Sequence, residues 1–379
     1  MFSYWERESF SYYDHIITGS GIVGLSTAVE LKDRYPAASV LVLERGLLPT
    51  GASTRNAGFA CMGSATELLD DLEHMQPDEV VGLFALRKKG LQLLRQRLGD
   101  DHIDYHANGS YELISDKEMK VLDKLEMLNG LLLPVAGQPA FKPANEKIKD
   151  FGFAGPYAKA MILNTCEGEL HSGKMMRRLT DIAINKGIEI KTGAQVTAFE
   201  ENAGGVIVSV TDPFRAGSWE LKCRTLSICT NAFTKQLIPD ADVVPGRGQV
   251  LITRPIPGLK FKGVYHFDKG YYYFRELNGR VLFGGGRNLD FKTETTTSFS
   301  LNEQIQNDLE QKLRGIILPH TPFETDQRWA GIMAFGSKKT PIVKAFSNKV
   351  FGAFRMGGMG VAIGSAVAED LVEIIAATI

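Results

Sequence analysis

The apolar positions near the N-terminus follow two different spacings. Residues 15–18 form a short apolar run that leads directly into glycine, which is typical of a strand buried on both faces of a parallel sheet. Between residues 22 and 31 the apolar positions recur at helical spacing, and a second apolar run at residues 40–43 ends in Glu44. The pattern therefore predicts a strand, a helix and a second strand.

Helical and alternating patterns divide the remaining chain into further elements. Helical spacing predicts helices over residues 78–98, 116–128, 171–186, 301–317 and 361–379. Capping boxes formed by Ser115 with Glu118 and by Ser300 with Glu303 support two of these helix starts. Short apolar or alternating runs predict a hairpin within residues 103–114 and strands at 188–190, around 196, at 226–229 and in the segments GQVLIT, GYYYFRE and GRVLFGG.

The order of these elements predicts two kinds of sheet and therefore two domains. The fold class expected is α/β, α+β overall, with a Rossmann-like domain beside a second, mostly antiparallel β-sheet domain. The Rossmann-like domain is expected to be discontinuous, with residues 1–85, 150–240 and 325–379. Residues 86–149 and 241–324 are expected to form the second domain. A chain of 379 residues is long enough for both.

Three spaced glycines stand between the first predicted strand and helix. Gly19, Gly21 and Gly24 form GxGxxG, in which the glycines permit a tight turn, close approach of a pyrophosphate and close packing of the helix. Glu44 lies 20 residues past Gly24, at the distance of an acid that accepts hydrogen bonds from a ribose. This context favours an adenine dinucleotide without a 2′-phosphate. The alternative is a tight turn followed by an incidental acid.

Two other small-residue stretches have the chemistry of anion-binding loops. Residues 51–58 read GASTRNAG and are typical of a loop with exposed backbone donors, to which Arg55 adds a cation, although such a stretch is also typical of a solvated turn. Residues 357–360 lead directly into the last predicted helix. Its N-terminus could therefore also face negative charge.

Composition excludes several classes of function. The net charge is −1 and basic residues are scattered, so neither nucleic-acid binding nor an electrostatic hold on lipid is expected. The N-terminus lacks a signal-peptide pattern, and no stretch is long and apolar enough to span a membrane, which predicts a cytoplasmic protein. No metal site is predicted, because the cysteines match no zinc or redox spacing and are expected to be reduced: Cys61, Cys166, Cys223 and Cys229.

Taken in order, these motifs resemble the amino-acid and amine oxidase family of flavoproteins that includes D-amino-acid oxidase, glycine oxidase and sarcosine oxidase. The resemblance covers nearly the whole chain. It depends on GSGIVG with Glu44 and Arg45, GASTRNAG, EGELHSGKMMRRL, PGRGQVLIT, YYYFRELNGRVLFGGG, RWAGI and GGMGV. It implies that the Rossmann-like domain binds FAD and that the second domain binds the substrate.

The resemblance also implies which residues contact FAD. In the family, the glycine fingerprint and the following acid hold the adenosine diphosphate half, one loop lies along the pyrophosphate and flavin, and a late glycine loop lies at the pyrimidine edge. The matching positions are Gly19, Ser20, Gly21, Ile22, Val23, Gly24, Glu44, Arg45, Ser53, Thr54, Arg55, Asn56, Ala57, Val196, Gly331, Gly358, Met359, Gly360 and Val361. The FAD is expected to be non-covalent, because residues 332–340 lack the cysteine that attaches flavin in some members.

The substrate side departs from the family pattern. Tyr271 matches a tyrosine that touches the substrate carboxylate, and Tyr273 is expected on the same strand face, although alternating tyrosines also simply pack a sheet. Met333 stands where glycine oxidase-like enzymes have a carboxylate-binding arginine, a contact that a thioether cannot make. Three arginines could replace it, although surface ion pairs explain isolated arginines as well: Arg275, Arg287 and Arg355.

Other family features are missing or have ordinary explanations. Phe283 stands near the lysine that some oxidases use to activate oxygen, so that lysine is expected to be absent. His106 and His266 are expected to be structural. The catalytic candidates are therefore Tyr271, Tyr273, Met333 and Arg287.

The function implied by the resemblance is an FAD-dependent oxidoreductase that oxidises the carbon–nitrogen bond of an amino acid or amine by hydride transfer to flavin N5. The expected partners are this small molecule and either oxygen or another electron acceptor. One alternative is oxidation of a 2-hydroxy acid, which Met333 leaves open. The other is a non-catalytic dinucleotide-binding subunit. The sequence predicts neither the substrate nor the oligomeric state.

Overall fold

The structure is a computed structural model that describes residues 3–212 and 217–379. Its strands are β1 (Tyr12–Thr18), β2 (Val40–Leu43), β3 (Phe59–Ala60), β4 (Ser110–Ile114), β5 (Phe141–Pro143), β6 (Ala160–Asn164), β7 (Gly168–Glu169), β8 (Glu189–Lys191), β9 (Val196–Asn202), β10 (Gly205–Thr211), β11 (Ser218–Ile228), β12 (Val244–Thr253), β13 (Val264–Phe267), β14 (Tyr272–Leu277), β15 (Arg280–Gly285), β16 (Thr325–Phe335), β17 (Ile342–Ala345) and β18 (Val350–Phe354).

The helices connect these strands. The α-helices are α1 (Tyr4–Phe10), α2 (Ile22–Arg34), α3 (Ala52–Arg55), α4 (Ala65–Leu72), α5 (Pro77–Leu98), α6 (Asp100–Ile103), α7 (Leu125–Ala136), α8 (Lys147–Phe151), α9 (Ser172–Asn185), α10 (Glu303–Lys312) and α11 (Gly360–Thr378). Tighter 3₁₀ segments run over Asp116–Lys124, Asn231–Gln236 and Arg287–Leu289, and a π turn over Leu313–Ile317 continues α10.

The first sheet has the order β17-β18-β11-β1-β2-β8, with β10 and β9 added beside β11. Strand β1 is parallel to both β11 and β2, and β2 is parallel to β8. One face of this sheet packs Ile17 and Val42 against α2, α9 and α11. The other face packs Ile16 and Leu41 against β10. Because both faces of the central strands are covered, they are continuously apolar, as the sequence predicts.

The second sheet has the order β16-β12-β15-β14-β13-β4-β6-β5. All its pairs are antiparallel except β13 with β4. One face carries a large aromatic core, in which Phe267, Tyr272, Phe274 and Phe283 are fully buried and α10 covers them. The residues that alternate with these point to the opposite face, toward the first sheet. The predicted combination of a Rossmann-like sheet with a mostly antiparallel sheet is confirmed.

Three local predictions are wrong. The hairpin expected within residues 103–114 is not formed: α6 occupies its start, Asp104 turns the chain in the left-handed region (φ 49°), and β4 pairs instead with β6 and β13. The helix expected over 116–128 is a 3₁₀ segment followed by α7, although the Ser115–Glu118 capping box is present. The cap of α10 is Asn302 rather than Ser300, because its side chain accepts from the amide of Ile305.

Helix α5 runs unbroken through residue 85, where the sequence places a domain boundary, and it packs against α11. The division into two domains stays a prediction. Within the described ranges, no helix combines the length and the apolar character needed to cross a bilayer.

Candidate active site

A cavity of about 630 Å³ lies between the two sheets. The carboxyl ends of β1, β2 and β11 border it on one side, where Thr18, Leu43 and Cys229 line it. The inward face of the second sheet borders it on the other side through β12, β14 and β16. Ligand sites of parallel sheets lie at the carboxyl ends of strands, and this volume is in their usual range. The cavity is therefore the candidate active site.

At the first sheet, the three fingerprint glycines keep side chains away from the start of α2. Gly19 has φ +96°, and a Cβ there would lie 2.8 Å from the carbonyl oxygen of Cys229. A Cβ on Gly24 would overlap the carbonyl oxygen of Gly19. The N-cap residue of α2, Gly21, has no side chain to cap the helix. Ser53 accepts from the amide of Ile22 at 3.0 Å, and the other amides of the first turn could bind an anionic ligand.

Glu44 is held in a fixed orientation at the end of β2. One carboxylate oxygen accepts from the amide and the hydroxyl of Ser20 at 3.0 and 2.9 Å, and the other accepts from the amide of Gly46 at 2.9 Å. The buried carboxylate still lines the cavity and keeps acceptor capacity for a ribose. Beside it, the guanidinium of Arg45 stacks on Phe233, with its Cζ 3.5 Å from the ring centroid.

The loop over residues 51–58 contains the short helix α3 and is tied to the second sheet. Arg55 donates to the carbonyl oxygens of Thr50 and Ala330 at 3.0 and 2.9 Å. The indole of Trp329 in turn donates to the carbonyl oxygen of Arg55 at 3.0 Å. Asn56 accepts from the amide of Gly58 at 2.8 Å and holds the loop's exit. The loop is therefore a rigid wall that connects both sheets.

A second helix start faces the cavity from the C-terminal part of the chain. Gly357 and Gly358 take the left-handed conformation, with φ +57° and +83°, just before α11 begins without a side-chain cap. The side-chain oxygen of Asn231 accepts from the amides of Arg355 and Met356 at 3.1 and 3.3 Å and fixes this turn. Two uncapped helix starts thus border one cavity. This arrangement fits a ligand with a pyrophosphate and an electron-rich ring.

Most residues predicted to contact the cofactor line this cavity. Three of them do not line it. Ser20 and Gly24 belong to the glycine turn but lie outside the cavity lining, and Thr54 is exposed and donates to the carbonyl oxygen of Pro49. Those that line the cavity are Gly19, Gly21, Ile22, Val23, Glu44, Arg45, Ser53, Arg55, Asn56, Ala57, Val196, Gly331, Gly358, Met359, Gly360 and Val361.

The second sheet contributes Tyr271, Tyr273 and Met333 to the cavity. Tyr271 immediately precedes β14, and Tyr273 lies within it on the same side. The structure gives Tyr273 no hydrogen-bond partner among the described residues, and burial raises the pKa of its phenol to about 12. The ring passes close over Gly284, where a Cβ would lie 2.6 Å from it. Met333 lies between Gly248 and Gly358, where added Cβ atoms would lie 3.0 and 3.4 Å from its side chain.

The three arginines considered as replacements at the Met333 position have different surroundings. Arg275 is buried outside the cavity, 3.3 Å from a carboxylate oxygen of Glu169. Arg355 pairs with Asp242 and donates to the carbonyl oxygen of Thr340 at 3.0 Å. Only Arg287, of these three, lines the cavity. Arg287 is therefore the candidate for binding the substrate carboxylate, whereas Arg275 and Arg355 have structural partners.

The guanidinium of Arg287 has aromatic neighbours and forms no ion pair with the described residues, although Glu294 attracts it from a greater distance. Its Cζ lies 4.3 Å from the ring centroid of Phe335 and 5.1 Å from that of Phe291. Its Nε is buried and makes no hydrogen bond with any residue that the structure describes. Burial lowers the pKa of Arg287 from its ordinary value, although the group stays charged at neutral pH. Such a cation is poised to bind an anion that enters the cavity.

Several cavity residues were not predicted. His266, expected to be structural, lines the cavity through its cross-strand position opposite Tyr273. Phe283 lies in the aromatic core, away from the cavity. Other segments contribute lysines to the lining of the cavity: Lys269, Lys338 and Lys339. No local sequence motif marks these residues. For His266, the alternation of side chains along β13 and β14 was the available signal.

A family model described as FAD dependent oxidoreductase matches residues 14–374. Human mitochondrial L-2-hydroxyglutarate dehydrogenase is 23% identical over 323 residues, which are 78% of this chain and 65% of that protein. The Escherichia coli K12 L-2-hydroxyglutarate dehydrogenase is also 23% identical, over 78% of this chain and 69% of that protein. The chain thus spans about two thirds of these curated relatives, and slightly less of the human one.

Two solved structures share the fold at low sequence identity. Glycine oxidase from Geobacillus kaustophilus superposes with a TM-score of 0.78 at 18% identity, covering 97% of this chain and 95% of that one. L-proline dehydrogenase from P. horikoshii superposes with a TM-score of 0.77 at 18% identity, covering 96% and 93%. At these identities the likeness establishes the fold.

Proposed function

Because the chain belongs to the family of FAD-dependent oxidoreductases, we propose that it oxidises the carbon–nitrogen bond of a small 2-amino acid whose carboxylate is bound by Arg287. FAD, when bound, accepts the electron pair that leaves the substrate carbon. The glycine turn before α2, Glu44 and the turn before α11 are the residues that would hold FAD. The second sheet would then orient the substrate.

The observation that carries this proposal is that Arg287 lines the cavity and forms no ion pair with the described residues. A planar guanidinium can offer two parallel N–H donors to one carboxylate. A substrate carboxylate would supply the missing partner. The rings of Phe291 and Phe335 lie against the guanidinium as cation–π partners and favour its charged form.

The groups around Arg287 favour an amine over an alcohol at the reacting carbon. An alcohol must lose its O–H proton to a base during oxidation, whereas a neutral amine can be oxidised without one. The rings of Phe291 and Phe335 lie against the guanidinium of Arg287 and accept no proton. The phenol of Tyr273 keeps its own proton because its pKa is raised to about 12. The support for carbon–nitrogen chemistry is confined to these groups, because His266 and three lysines also line the cavity.

Oxidation of a 2-hydroxy acid is the second candidate, and the curated relatives favour it. Their names describe L-2-hydroxyglutarate dehydrogenases, and a 2-hydroxy acid carries the same carboxylate that Arg287 would bind. The two candidates therefore share the carboxylate contact. They differ only in the atom attached to the carbon that is oxidised.

Anaerobic reduction of the bound flavin by matched substrate pairs would separate these candidates. The pairs are glycine with glycolate, and both enantiomers of glutamate with both enantiomers of 2-hydroxyglutarate. We expect an amino acid to bleach the flavin and its hydroxy counterpart to bleach it at least tenfold more slowly. Bleaching by the hydroxy acid alone would establish the second candidate instead.

The carboxylate contact is tested with the methyl ester of whichever acid reduces the flavin. Loss of the charge should lower the second-order rate of reduction about 100-fold, because a charge-assisted bidentate contact contributes about 3 kcal/mol. An ester that reduces the flavin as fast as the acid would reject the role of Arg287. Oxygen or another molecule as electron acceptor, non-covalent FAD and a cytoplasmic location stay predictions.

A further inference from the structure

Three buried side chains from distant segments bring their ligand atoms together beside the cavity. Cys61 follows β3, Glu167 precedes β7 and His266 lies in β13. The sulfur of Cys61 is 3.3 Å from Nε2 of His266 and 3.6 Å from Oε2 of Glu167, and these two atoms are 3.6 Å apart. We propose that these three residues bind a zinc ion with its fourth position open to the cavity.

The separations agree with zinc coordination. Zinc bonds of about 2.0–2.2 Å to nitrogen or oxygen and about 2.3 Å to sulfur, at tetrahedral angles, place ligand atoms about 3.4–3.6 Å from one another. The three measured separations fall within about 0.2 Å of that range. One ion could therefore contact all three atoms without a change of backbone.

The carboxylate of Glu167 is oriented as metal-binding carboxylates are. Its Oε1 accepts from the amides of Met62 and Gly63 at 2.6 and 2.8 Å. Its Oε2 faces the other two ligand atoms and also accepts from the hydroxyl of Ser110 at 2.5 Å. Such outer contacts hold a ligating carboxylate in place. They also hold the carboxylate of Glu167, which is only 3% exposed, in its position beside Cys61.

The geometry does not match a nucleophilic triad. In a triad the acid contacts one imidazole nitrogen and the nucleophile contacts the other. Here Cys61 and Glu167 both approach Nε2 of His266, and the single hydrogen on that nitrogen cannot point at both. Convergence of all three on one point is the arrangement of a ligand set. A metal-free hydrogen-bond cluster is the competing explanation.

The ligand types select zinc and the cavity supplies its open position. A thiolate, an imidazole and a carboxylate suit a borderline-soft cation, and zinc commonly keeps three protein ligands with a fourth position for water or substrate. Cys61 and His266 line the cavity, whereas Glu167 does not, so the open position faces the cavity. Zinc binding here is independent of which 2-substituted acid the enzyme oxidises.

The test measures zinc in tag-free holoenzyme with bound FAD. Protein produced in zinc-supplemented medium is dialysed against metal-free buffer, and zinc and flavin are quantified per chain. We expect about one zinc per chain in the wild type and at least a tenfold loss in C61S and H266N. The matched control is C166S, because Cys166 is a half-buried free cysteine of the same chain outside the cluster.

Thermal unfolding gives a second readout that does not depend on the variants folding well. Wild-type holoenzyme treated with EDTA should regain one zinc, and zinc at a hundredfold excess over its Kd should raise the unfolding midpoint by about 3 °C. Failure of the wild type to take up zinc would overturn the proposal and leave the hydrogen-bond cluster. Equal zinc content in C61S and C166S would also overturn it.

Discussion

The two ends of the cavity are built from different parts of the polypeptide. At the cofactor end, backbone groups of two uncapped helix starts border the cavity, and glycines within residues 19–24 and 357–360 keep the approach clear. At the substrate end, side chains from separate segments converge. Pairing of the strands brings Tyr273 of β14 and Met333 of β16 to the cavity, and the turn after β15 adds Arg287. One end depends on local backbone geometry and the other on strand register.

This difference separates what determines the cofactor from what determines the substrate. Backbone amides and the helix dipole bind phosphate whatever side chains lie elsewhere, so the cofactor end needs only a short glycine pattern. Substrate choice depends on a few side chains whose replacement leaves the backbone unchanged. We therefore expect changes at one end to leave the other end's function largely intact.

The largest effect is expected for Gly24→Ala at the cofactor end. The new Cβ would overlap the carbonyl oxygen of Gly19. The turn must open, because a Cβ is fixed to its own backbone and the carbonyl oxygen cannot rotate away as a side chain could. We predict almost complete loss of bound FAD and a loss of stability of about 3 kcal/mol or more, from overpacking. Flavin absorbance per chain and thermal unfolding measure these effects.

Gly82→Ala is the matched control for that substitution. A Cβ at Gly82 meets no heavy atom within 4 Å, and the residue lies in the exposed part of α5. This change should stabilise the protein by up to about 1 kcal/mol and leave the FAD content unchanged. Normal FAD binding by the Gly24 variant would show that the backbone turn is not what defines the cofactor end.

The next largest effect is expected for Glu294→Gln behind the substrate end. Glu294 accepts from Nε and Nη2 of Arg247 at 2.8 and 2.6 Å, and both side chains are almost fully buried. The loop of Glu294 continues from the segment that carries Arg287, so the pair holds that segment on β12. Removing one charge leaves Arg247 unpaired and should cost about 3 kcal/mol, with a raised KM and unchanged FAD content.

The stability difference between wild type and this variant should also depend on pH. Burial alone would raise the pKa of Glu294, but its hydrogen bonds from Arg247, Gln249 and Asn302 lower it below the ordinary value of 4.5. The stabilisation is therefore present above pH 4.5 and is lost as the pH falls through the lowered pKa. The exposed pair Arg254–Glu324 is the control, since Glu324→Gln should change stability by less than about 0.5 kcal/mol. A gap that widens in acid would contradict this account.

The smallest effect is expected for Tyr273→Phe, compared with its neighbour Tyr272→Phe. Tyr273 lines the cavity, and its phenol has no hydrogen-bond partner in the described part of the chain. Its loss should therefore leave stability within about 0.5 kcal/mol and lower kcat/KM by less than tenfold. Tyr272 faces the core and donates to Asp308 at 2.7 Å. Its loss should cost about 1 kcal/mol without changing kcat/KM. A loss of kcat/KM in Tyr272→Phe and not in Tyr273→Phe would contradict the assignment of the substrate to the Tyr273 face of β14.

Much of the fold could be predicted from the sequence, because its signals are local. The strand, glycine turn, helix and second strand appear as β1, α2 and β2, and the family resemblance and FAD are confirmed by the match over residues 14–374. That match also establishes an enzyme rather than a non-catalytic subunit. The hairpin within residues 103–114 was wrong because pairing of β4 with β6 and β13 is non-local. Alternation along a strand does not identify its partner.

Less of the candidate substrate site could be predicted. The sequence alone does not distinguish the three candidate arginines. In the structure Arg275 pairs with Glu169 and Arg355 with Asp242, whereas Arg287 faces the cavity. His266 was expected to be structural because nothing near it in sequence suggests ligands. Glu167 and Cys61 lie about 100 and 200 residues before it in the sequence. The spacing rules for metal-binding motifs do not cover such separations.

The most direct test of this account is the effect of Arg287→Met on substrate turnover and on FAD content in one preparation. With the acid that reduces the wild-type flavin, we predict that kcat/KM falls about 100-fold, or about 3 kcal/mol, while FAD per chain stays equal to the wild type. The exposed Arg254→Met is the control and should change neither quantity. Unchanged kcat/KM in the Arg287 variant, or loss of FAD with it, would contradict the separation of the two ends.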